Sequence, residues 1–570
     1  MDFLIAQSEP YDAVRALYEP LWTEKEVWVG SVPSGNREVI EDATGPVAVI
    51  AGSISGALAD AENIRRVSRE ELGRHTKDSD GSFAVALPKD QSVTVVTDAG
   101  GSIPVFYGHG PRGWAVGTRV HDVAVSTGLD TVDRVSAVDF LMNASVCYPY
   151  SWYEDVRMVP PGSVCTVGRE EMTCHTYWVP EEPADLYKDC DYHSWGRRLR
   201  ARTKEILHSA IAGAERGRVL FSGGTDSRAV LSLMPAEFKC IPTTVLSSKN
   251  REYRLAKRSA RLLGRELELI QRPENYYRSA IPYRIDRIGP GFDFRHTHLF
   301  GPVADQFEDA DVVVGGYLAD TLFKSHYMSN VARRNTRPDS LLDPCPDEVK
   351  PPPGDVGGST LSKIGGAPFK DDLVAAAQKR RCEHHRHLKE LRPRTAGNWH
   401  RLWPLSTLAY GSYLSGLRMQ TKMVEPFLFH GNYQLAARMP DAARVDRRAF
   451  RAAFADDMGA AGWWPTDSGR IPRLGGYLGN AVRVPIRGTQ RLLDALRASD
   501  GEQGSWPPFQ WGWHNVQVDE HFPEEGTGLY QQRLNELMTE EAAREQFSDD
   551  DFIPVRLRAL TLAFGAEKSQ

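Results

Sequence analysis

The sequence has little of what distinguishes disulfide-rich, membrane-spanning or nucleic-acid-binding proteins. Its 570 residues include seven cysteines, and no two of them form a CxxC pair. This argues against a disulfide framework or a zinc site and favours a reducing compartment. No apolar run is long enough to span a bilayer, the N-terminus shows no signal peptide, and the net charge is only −6. We therefore expect a soluble, cytoplasmic protein that binds neither nucleic acid nor a membrane.

Residues 1–185 form the first of two predicted domains, and they have the pattern of short β-strands. Glycine and proline separate runs of β-branched and aromatic residues, which is typical of strands joined by tight turns. The clearest runs are Val47–Ile54, Ser92–Thr97, Val105–Tyr107, Trp114–Gly117 and Val164–Val167. Strands at this spacing favour an α+β fold whose antiparallel sheets pack as a sandwich.

Residues 190–570 change to a pattern in which strands and helices alternate. Helices are predicted at Trp195–Ala214 and Arg251–Leu263, and strands at 219–221, Ile241–Leu246, Leu267–Ile270 and Asp311–Val314. This alternation predicts an α/β domain with a doubly wound parallel sheet, whose ligands bind at the carboxyl ends of the strands. Residues 329–370 are rich in proline, glycine and charge and are predicted to be a mobile loop. The rest of the domain is predicted to be mostly helical.

The stretch RVLFSGGTDSRAVLSLMP, residues 218–235, predicts a buried strand, a glycine turn and a helix that starts at Arg228. Gly223 and Gly224 allow a tight turn that brings backbone N–H groups close to a ligand. A turn of this kind before a helix N-terminus is an anion site. The turn has neither the GxxxxGK[ST] pattern nor GxGxxG, so an ordinary P-loop or dinucleotide site is not predicted.

Asp226 is the unexpected residue in this turn. A carboxylate repels a phosphate unless a cation lies between them, so Asp226 indicates Mg²⁺. The stretch DADVVVGGYLADTLFKSH repeats the pattern and places Asp320 at a helix start. If the two strands are neighbours, Asp226 and Asp320 hold the same metal. The alternatives are a polar helix cap at 222–227 and an ordinary strand–helix turn at 315–320.

These motifs resemble those of the asparagine synthetase superfamily. SGGTDS (222–227) looks like its pyrophosphate loop, and GGYLAD (315–320) resembles its second acidic loop in the form found in β-lactam synthetases. VEPFLFHGNYQLAARMP (424–440) is similar to its C-terminal block, with Phe429 where aspartate is usual. The N-terminal residues 80–83, 98–101, 160–162 and 177–178 look like landmarks of its Ntn glutaminase domain. The resemblance covers most of the chain.

The resemblance implies a carbon–nitrogen ligase that uses ATP and Mg²⁺, adenylates a carboxylate and forms an amide with release of pyrophosphate and AMP. Asp226 and Asp320 would hold Mg²⁺, and Val245 or Leu246 would meet adenine through backbone groups. The residues that would hold the phosphates are Ser222, Gly223, Gly224, Thr225, Ser227 and Gly316.

The chain departs from the superfamily pattern at three further places. Glutamine-using members carry a cysteine nucleophile directly after the initiator methionine, whereas residue 2 here is aspartate. The N-terminal domain is therefore predicted to be inactive, as in β-lactam synthetases and lasso-peptide cyclases, which use an amine of the substrate. Tyr317 fits the β-lactam synthetase tyrosine as a base or amine contact, but its glutamate partner has no counterpart in register; Glu425 is merely nearby. Arg473 stands where the family has the lysine that stabilises the oxyanion.

The substrate is expected to be a small molecule or a peptide from specialised metabolism, and a homodimer or a partner biosynthetic protein is a further expectation. Three alternatives stay open. One is ammonia-dependent amidation of a small acid or sugar acid. The others are a sulfur- or tRNA-directed enzyme with a pyrophosphatase loop and a catalytically dead scaffold that binds substrate.

Overall fold

The computed structural model describes residues 2–24, 27–32, 39–42, 45–60, 69–184, 191–273, 276, 289–292, 301–326, 369–408, 411–418, 421–496, 532 and 535–539. Apart from its last two residues, the loop predicted at 329–370 lies outside the described residues. No helix in these ranges is both long enough and apolar enough to cross a membrane.

Two antiparallel sheets form the N-terminal half. Their strands are β1 Phe3–Ala6, β2 Glu19–Glu24, β3 Val27–Ser31, β4 Val39–Asp42, β5 Gly45–Gly56, β6 Ser79–Lys89, β7 Ser92–Thr97, β8 Phe106–Gly110, β9 Gly113–Gly117, β10 Arg157–Met158, β11 Ser163–Val167 and β12 Met172–Thr176. One sheet has the order β10-β8-β9-β1-β3-β2 and the other β12-β11-β7-β6-β5-β4. The predicted α+β sandwich is confirmed, and β7 has the predicted bounds.

Alternating side chains of β1 show how the sandwich is built, because successive residues of a strand point to opposite faces. Phe3 and Ile5 pack between the two sheets against residues such as Val49. Leu4 and Ala6 point the other way, toward helices on the outer face. The helices of this half are α1 Asp12–Arg15, α2 Arg69–His75, α3 Val120–Thr127 and α4 Arg134–Asn143. The half is therefore a sandwich of two sheets with helices on its outer faces.

The C-terminal half contains a five-stranded parallel sheet with the order β15-β14-β13-β16-β17. Its strands are β13 Arg216–Leu220, β14 Lys239–Leu246, β15 Glu268–Gln271, β16 Val312–Val314 and β17 Met423–Val424. The helices are α5 Tyr192–Ala210, α6 Thr225–Leu233, α7 Arg251–Leu262, α8 Ala319–Phe323, α9 Asp371–Leu391, α10 Ala396–Trp399, α11 Gly411–Arg418, α12 His430–Arg438, α13 Asp441–Arg444, α14 Arg448–Phe454 and α15 Gly476–Leu496. The α/β layout with a parallel sheet is as predicted.

Helix α6 begins at Thr225, three residues before the predicted start at Arg228. The sequence pattern places Thr225, Asp226 and Ser227 in the predicted turn. In the structure Gly224 is the N-cap, with φ −70° and ψ 171°. The polar residues therefore lie in the first helical turn, where carboxylates are also favoured.

Cys165 and Cys174 form a disulfide. The expectation that the cysteines are reduced is wrong for this pair. They are directly opposite each other in the antiparallel pair of β11 and β12. Cross-strand neighbours in such a pair are close enough for a bridge. The bridge joins a single hairpin.

The two halves meet along polar contacts that are buried or partly buried. Leu405 N donates to Gly100 O at 2.7 Å, so the 98–101 turn is held by the C-terminal half. Arg380 Nη1 lies 2.6 Å from Asp133 Oδ2. Gly431 N donates to Asp80 Oδ1 at 2.9 Å. The N-terminal motifs at residues 80 and 98–101 therefore lie at this contact.

Candidate functional site

The turns after β13 and β16 touch each other at the carboxyl edge of the parallel sheet. These strands are neighbours, with Val219 paired to Val314. A Cβ on Gly316 would lie 3.2 Å from both the carbonyl carbon and the Cβ of Asp226. A side chain at residue 316 would therefore fit only if its neighbours shifted locally. The predicted convergence of the 222–227 and 315–320 turns is therefore observed.

Gly223 is required by both its conformation and its surroundings. Its φ is +69°, which L side chains rarely adopt, and a Cβ there would lie 2.7 Å from Ala256 Cα on α7. The turn is further fixed by Ser222 Oγ, which accepts from Gly224 N at 3.2 Å. Ser227 Oγ donates to Gly224 O at 3.3 Å. The N-terminus of α6 thus faces the sheet edge from a rigid turn.

A cavity of about 900 Å³ opens beside these turns. Ser222, Gly224 and Thr225 line it, so the predicted phosphate-binding turn faces open space. Its charged lining includes the acids Asp226, Glu252, Asp320, Asp446 and Asp467 and the bases Lys324, Arg447, Arg448 and Arg470. Acidic and basic side chains therefore share one cavity.

Within this lining, Asp226 forms an ion pair with Lys324. Burial raises the pKa of the Asp226 carboxyl, Lys324 opposes this, and Asp320 adds to the rise. Asp320 is half exposed and its Oδ2 lies 3.9 Å from Nδ1 of His326. The charge of Asp226 is thus only partly compensated, which favours a further cation.

The two carboxylates fit a magnesium ion that is bound together with phosphates. Mg²⁺ is commonly held by one or two carboxylates, the remaining positions being filled by water and substrate phosphate oxygens. Within the described ranges no group of three or more His, Cys, Asp and Glu residues could hold a metal by itself. Asp226 and Asp320 therefore suit a metal that arrives with a nucleotide.

Among the bases of the lining, Arg447 is held in an unusual backbone conformation. Asp446 and Arg447 have φ values of +55° and +59°, a region that costs non-glycine residues energy. The carboxylate of Asp446 accepts a hydrogen bond from Gly476 N. Burial lowers the pKa of Arg447 to about 10, and the nearby Arg470 contributes to the lowering. Two cations held together at a cavity form a site for an anion.

Glu425 lies against the second turn, although its position in the sequence is out of register with the glutamate of the family. It follows β17, which pairs with β16, so it reaches the same edge of the sheet. Its Oε2 accepts from Tyr317 N at 2.7 Å. A Cβ on Gly315 would lie 2.0 Å from Glu425 Oε1. The contact is with the main chain of Tyr317, and the signal that could have found it was the position of Glu425 directly after a short apolar run.

Several predicted residues are not part of the lining of this cavity, namely Gly223, Ser227, Gly316 and Tyr317 of the two turns, and Val245, Leu246 and Arg473. Val245 and Leu246 are buried at the end of β14, and Leu246 O accepts from Arg272 N at 3.0 Å. Arg473 packs over Trp463 at 5.6 Å from the ring centroid, and its Nη1 is 3.3 Å from Asp456 Oδ1. The cavity is lined instead by Arg470, three residues earlier.

Asp2 occupies a different environment at the contact between the halves. Its Oδ1 lies 2.8 Å from Nη2 of Arg418 on α11, and both side chains are buried. Burial alone would raise the pKa of Asp2, but Arg418 and hydrogen bonds outweigh it and the pKa is lowered. Position 2 is therefore a closed ion pair that joins the halves.

Residues 55–178 match a family model described as a glutamine amidotransferase domain. The N-terminal half therefore contains a glutamine amidotransferase-like domain, which agrees with the predicted resemblance to a glutaminase domain. No curated protein matches the chain.

Two of the solved structures that match this chain are described here, and both have low sequence identity to it. One is the glutamine phosphoribosylpyrophosphate amidotransferase from B. subtilis complexed with ADP and GMP, at 12% identity and a TM-score of 0.22; the match covers 38% of this chain and 60% of that one. The other is described as the allosteric regulatory enzyme of purine biosynthesis, at 11% identity and a TM-score of 0.22. That match covers 48% of this chain and 75% of the other. At these values neither structure carries a functional argument.

Proposed function

We propose that this chain is an ATP-dependent, AMP-forming ligase that joins a carboxylate to an amine. The observation that carries this proposal is the contact between the 222–227 and 315–320 turns beside a cavity of about 900 Å³. That cavity combines two carboxylates for a metal with a helix N-terminus and arginines for phosphates.

In the proposed first step, a carboxylate oxygen of the substrate attacks the α-phosphorus of ATP, and pyrophosphate leaves. The 222–227 turn and Gly316 would hold the pyrophosphate, and main-chain groups of Val245 or Leu246 would meet adenine. Asp226 and Asp320 would hold Mg²⁺, which neutralises charge on the phosphates. Arg447 and Arg470 would hold a further anionic group of the reactants.

In the proposed second step, an amine nitrogen attacks the acyl carbon of the acyl-adenylate. The bond from that carbon to the bridging oxygen breaks, and AMP leaves with this oxygen. The nitrogen loses a proton, and Tyr317 is the proposed base or amine contact. Glu425 would fix the turn that carries Tyr317, because it accepts the main-chain hydrogen bond of that residue. Arg473 remains a proposed stabiliser of the oxyanion, which would require its side chain to leave Asp456.

The proposal is tested with the full chain, ATP, Mg²⁺ and a panel of carboxylic acids in the presence of hydroxylamine. Hydroxylamine converts an acyl-adenylate into a hydroxamate, so the true amine need not be known. We expect a hydroxamate together with equal amounts of AMP and pyrophosphate, and ³¹P NMR measures these two phosphorus products. Release of ADP and phosphate would contradict the proposal.

A second candidate function is glutamine-dependent amide transfer, which the match at residues 55–178 favours. It requires a thiolate nucleophile. Among the described residues of the N-terminal half, Cys165 and Cys174 form a disulfide, and burial raises the pKa of Cys147 to about 12. We therefore favour an amine of the substrate, and not glutamine, as the source of nitrogen. Glutamine labelled with ¹⁵N at its amide should leave no label in the product, and stoichiometric glutamate release would favour the second candidate.

A further inference from the structure

We propose that Lys324 is a resident cation that neutralises Asp226 before ligand binding and turns its ammonium group to the phosphates when the metal–nucleotide arrives. This inference rests on the proposed function and adds to it. It predicts that the metal enters with the nucleotide and binds poorly without it.

The placement of Lys324 follows from the second turn. Asp320 lies in the first turn of α8, and Lys324 is the C-cap residue four positions later. Residues four apart on a helix share a face, so the metal-ligand candidate and the lysine are directed to the same side. Both residues line the cavity.

The ammonium group of Lys324 bonds to Oδ1 of Asp226. The lysine side chain is 10% exposed and the aspartate 26%, so the pair is recessed but open to the cavity. The ammonium also lies 4.9 Å from the centroid of Phe450. Lys324 therefore takes up one oxygen of the carboxylate that the proposed function assigns to Mg²⁺.

The charges explain why the pair would open only for a nucleotide. A divalent ion entering alone would meet the ammonium beside its ligand, and like charges in a recessed site repel strongly. A nucleotide supplies phosphate oxygens, to which the flexible lysine side chain can turn. Lys324 would then exchange a carboxylate partner for a phosphate partner and leave Asp226 to the metal.

The test measures two affinities in four forms of the full chain. Mn²⁺ replaces Mg²⁺ because its free concentration can be read by EPR, and α,β-methylene-ATP serves as the nucleotide because it is not cleaved at that position. The forms are wild type, Lys324→Met, Lys324→Arg and the control Lys204→Met, whose lysine is exposed on α5. The two measurements are the affinity for Mn²⁺ alone and the affinity for the analogue at saturating Mn²⁺.

For Lys324→Met we expect Mn²⁺ alone to bind roughly tenfold tighter than in wild type, and the analogue to bind roughly tenfold weaker, a typical coupling between charged ligands. Lys324→Arg keeps the charge and should resemble wild type with Mn²⁺ alone. Lys204→Met should resemble wild type in both. These opposite changes would not result from loss of a structural ion pair, which would weaken both affinities.

Two outcomes overturn the inference while the proposed function survives. In the first, wild type binds the analogue and Lys324→Met binds both ligands as wild type does. In the second, Lys324→Met binds both ligands more weakly. If wild type does not bind the analogue with Mn²⁺ at all, the proposed function itself is wrong and the inference is overturned with it.

Discussion

Two aspartates of this chain, Asp2 and Asp226, each pair with a cation from a distant segment, and they are used differently. The side chains of Asp2 and Arg418 are 1% and 8% exposed, whereas those of Asp226 and Lys324 are 26% and 10% exposed. The first pair closes the contact between the halves, and the second borders a cavity. Burial of a charge therefore does not by itself distinguish a structural pair from a functional one.

The pKa directions of the two carboxyls show what does distinguish them. Burial acts on both, but Arg418 and hydrogen bonds lower the pKa of Asp2, whereas the pKa of Asp226 stays raised. Asp320 contributes to that rise. A carboxylate whose charge is fully compensated stabilises the fold, and one that is incompletely compensated provides a site for an incoming cation.

The largest expected effect concerns stability at the closed pair. Arg418→Met leaves Asp2 buried without its cation and should lower the free energy of unfolding by about 3–5 kcal/mol. Denaturant unfolding at pH 7 measures it. The control is Arg15→Met at the exposed Arg15–Glu9 pair, where the change should stay within about 1 kcal/mol. Equal effects of the two substitutions would show that Asp2 and Arg418 are no more important than a surface pair.

The next effect concerns activity at the open pair. Asp226→Asn and Asp320→Asn each remove a unit charge from the proposed metal site and should lower the rate of AMP formation about 10²–10³-fold, as for loss of a transition-state contact. The rate is measured with an acid identified in the hydroxamate assay. Asp2→Asn should retain the rate in the folded fraction. A wild-type rate in Asp226→Asn would remove the metal argument.

A smaller effect is the dependence of stability on pH, which should have opposite signs at the two aspartates. The pKa of Asp2 lies below its ordinary value of 3.8, so its contribution is present above that pH and is lost as the pH falls through the lowered pKa. The pKa of Asp226 is raised, so its contribution is present below pH 3.8 and is lost as the pH rises through the raised pKa.

The free energy of unfolding of wild type, Asp2→Asn and Asp226→Asn, measured between about pH 3 and pH 7, checks these two signs. This range spans the ordinary titration of carboxyl groups. The destabilisation by Asp2→Asn should shrink as the pH falls. Asp226→Asn should gain stability relative to wild type as the pH rises. If the stability of the two variants relative to wild type changed with pH in the same direction, the opposite signs expected for Asp2 and Asp226 would be contradicted.

The smallest expected effect is at Arg473. Its side chain contacts Trp463 and Asp456, so Arg473→Ala should leave pyrophosphate exchange into ATP unchanged and lower product formation less than about tenfold. Arg470→Ala, at a residue that lines the cavity, should weaken nucleotide binding. If Arg473→Ala abolishes exchange, Arg473 serves nucleotide binding or folding.

Local patterns predicted the fold because they depend on neighbouring residues. Strand β7 has the predicted bounds, Ser92–Thr97, because turn residues flank a run of β-branched residues. The presence of Asp226 and Asp320 in one cavity was also predictable, since parallel neighbours place their following turns at one edge. The disulfide of Cys165 and Cys174 depends on hairpin register, which their spacing alone does not fix.

Contacts between distant segments could not be predicted in this way. Arg418 is 416 residues from Asp2, and no periodicity connects them. Lys324 is four residues from Asp320, but its partner Asp226 lies 98 residues away. Glu425 reaches Tyr317 only because β17 joins the sheet beside β16. These pairings follow from the order of strands and from the packing of helices across the two halves.

Isothermal titration of α,β-methylene-ATP with Mg²⁺ into wild type, Asp2→Asn and Asp226→Asn tests the central claim most directly, because it needs neither the acid nor the amine substrate. The account predicts saturable, Mg²⁺-dependent binding with equal affinity in wild type and folded Asp2→Asn, and its loss in folded Asp226→Asn. Equal binding in all three proteins, or none in wild type, would contradict the assignment of the cavity beside the 222–227 turn to a metal–nucleotide.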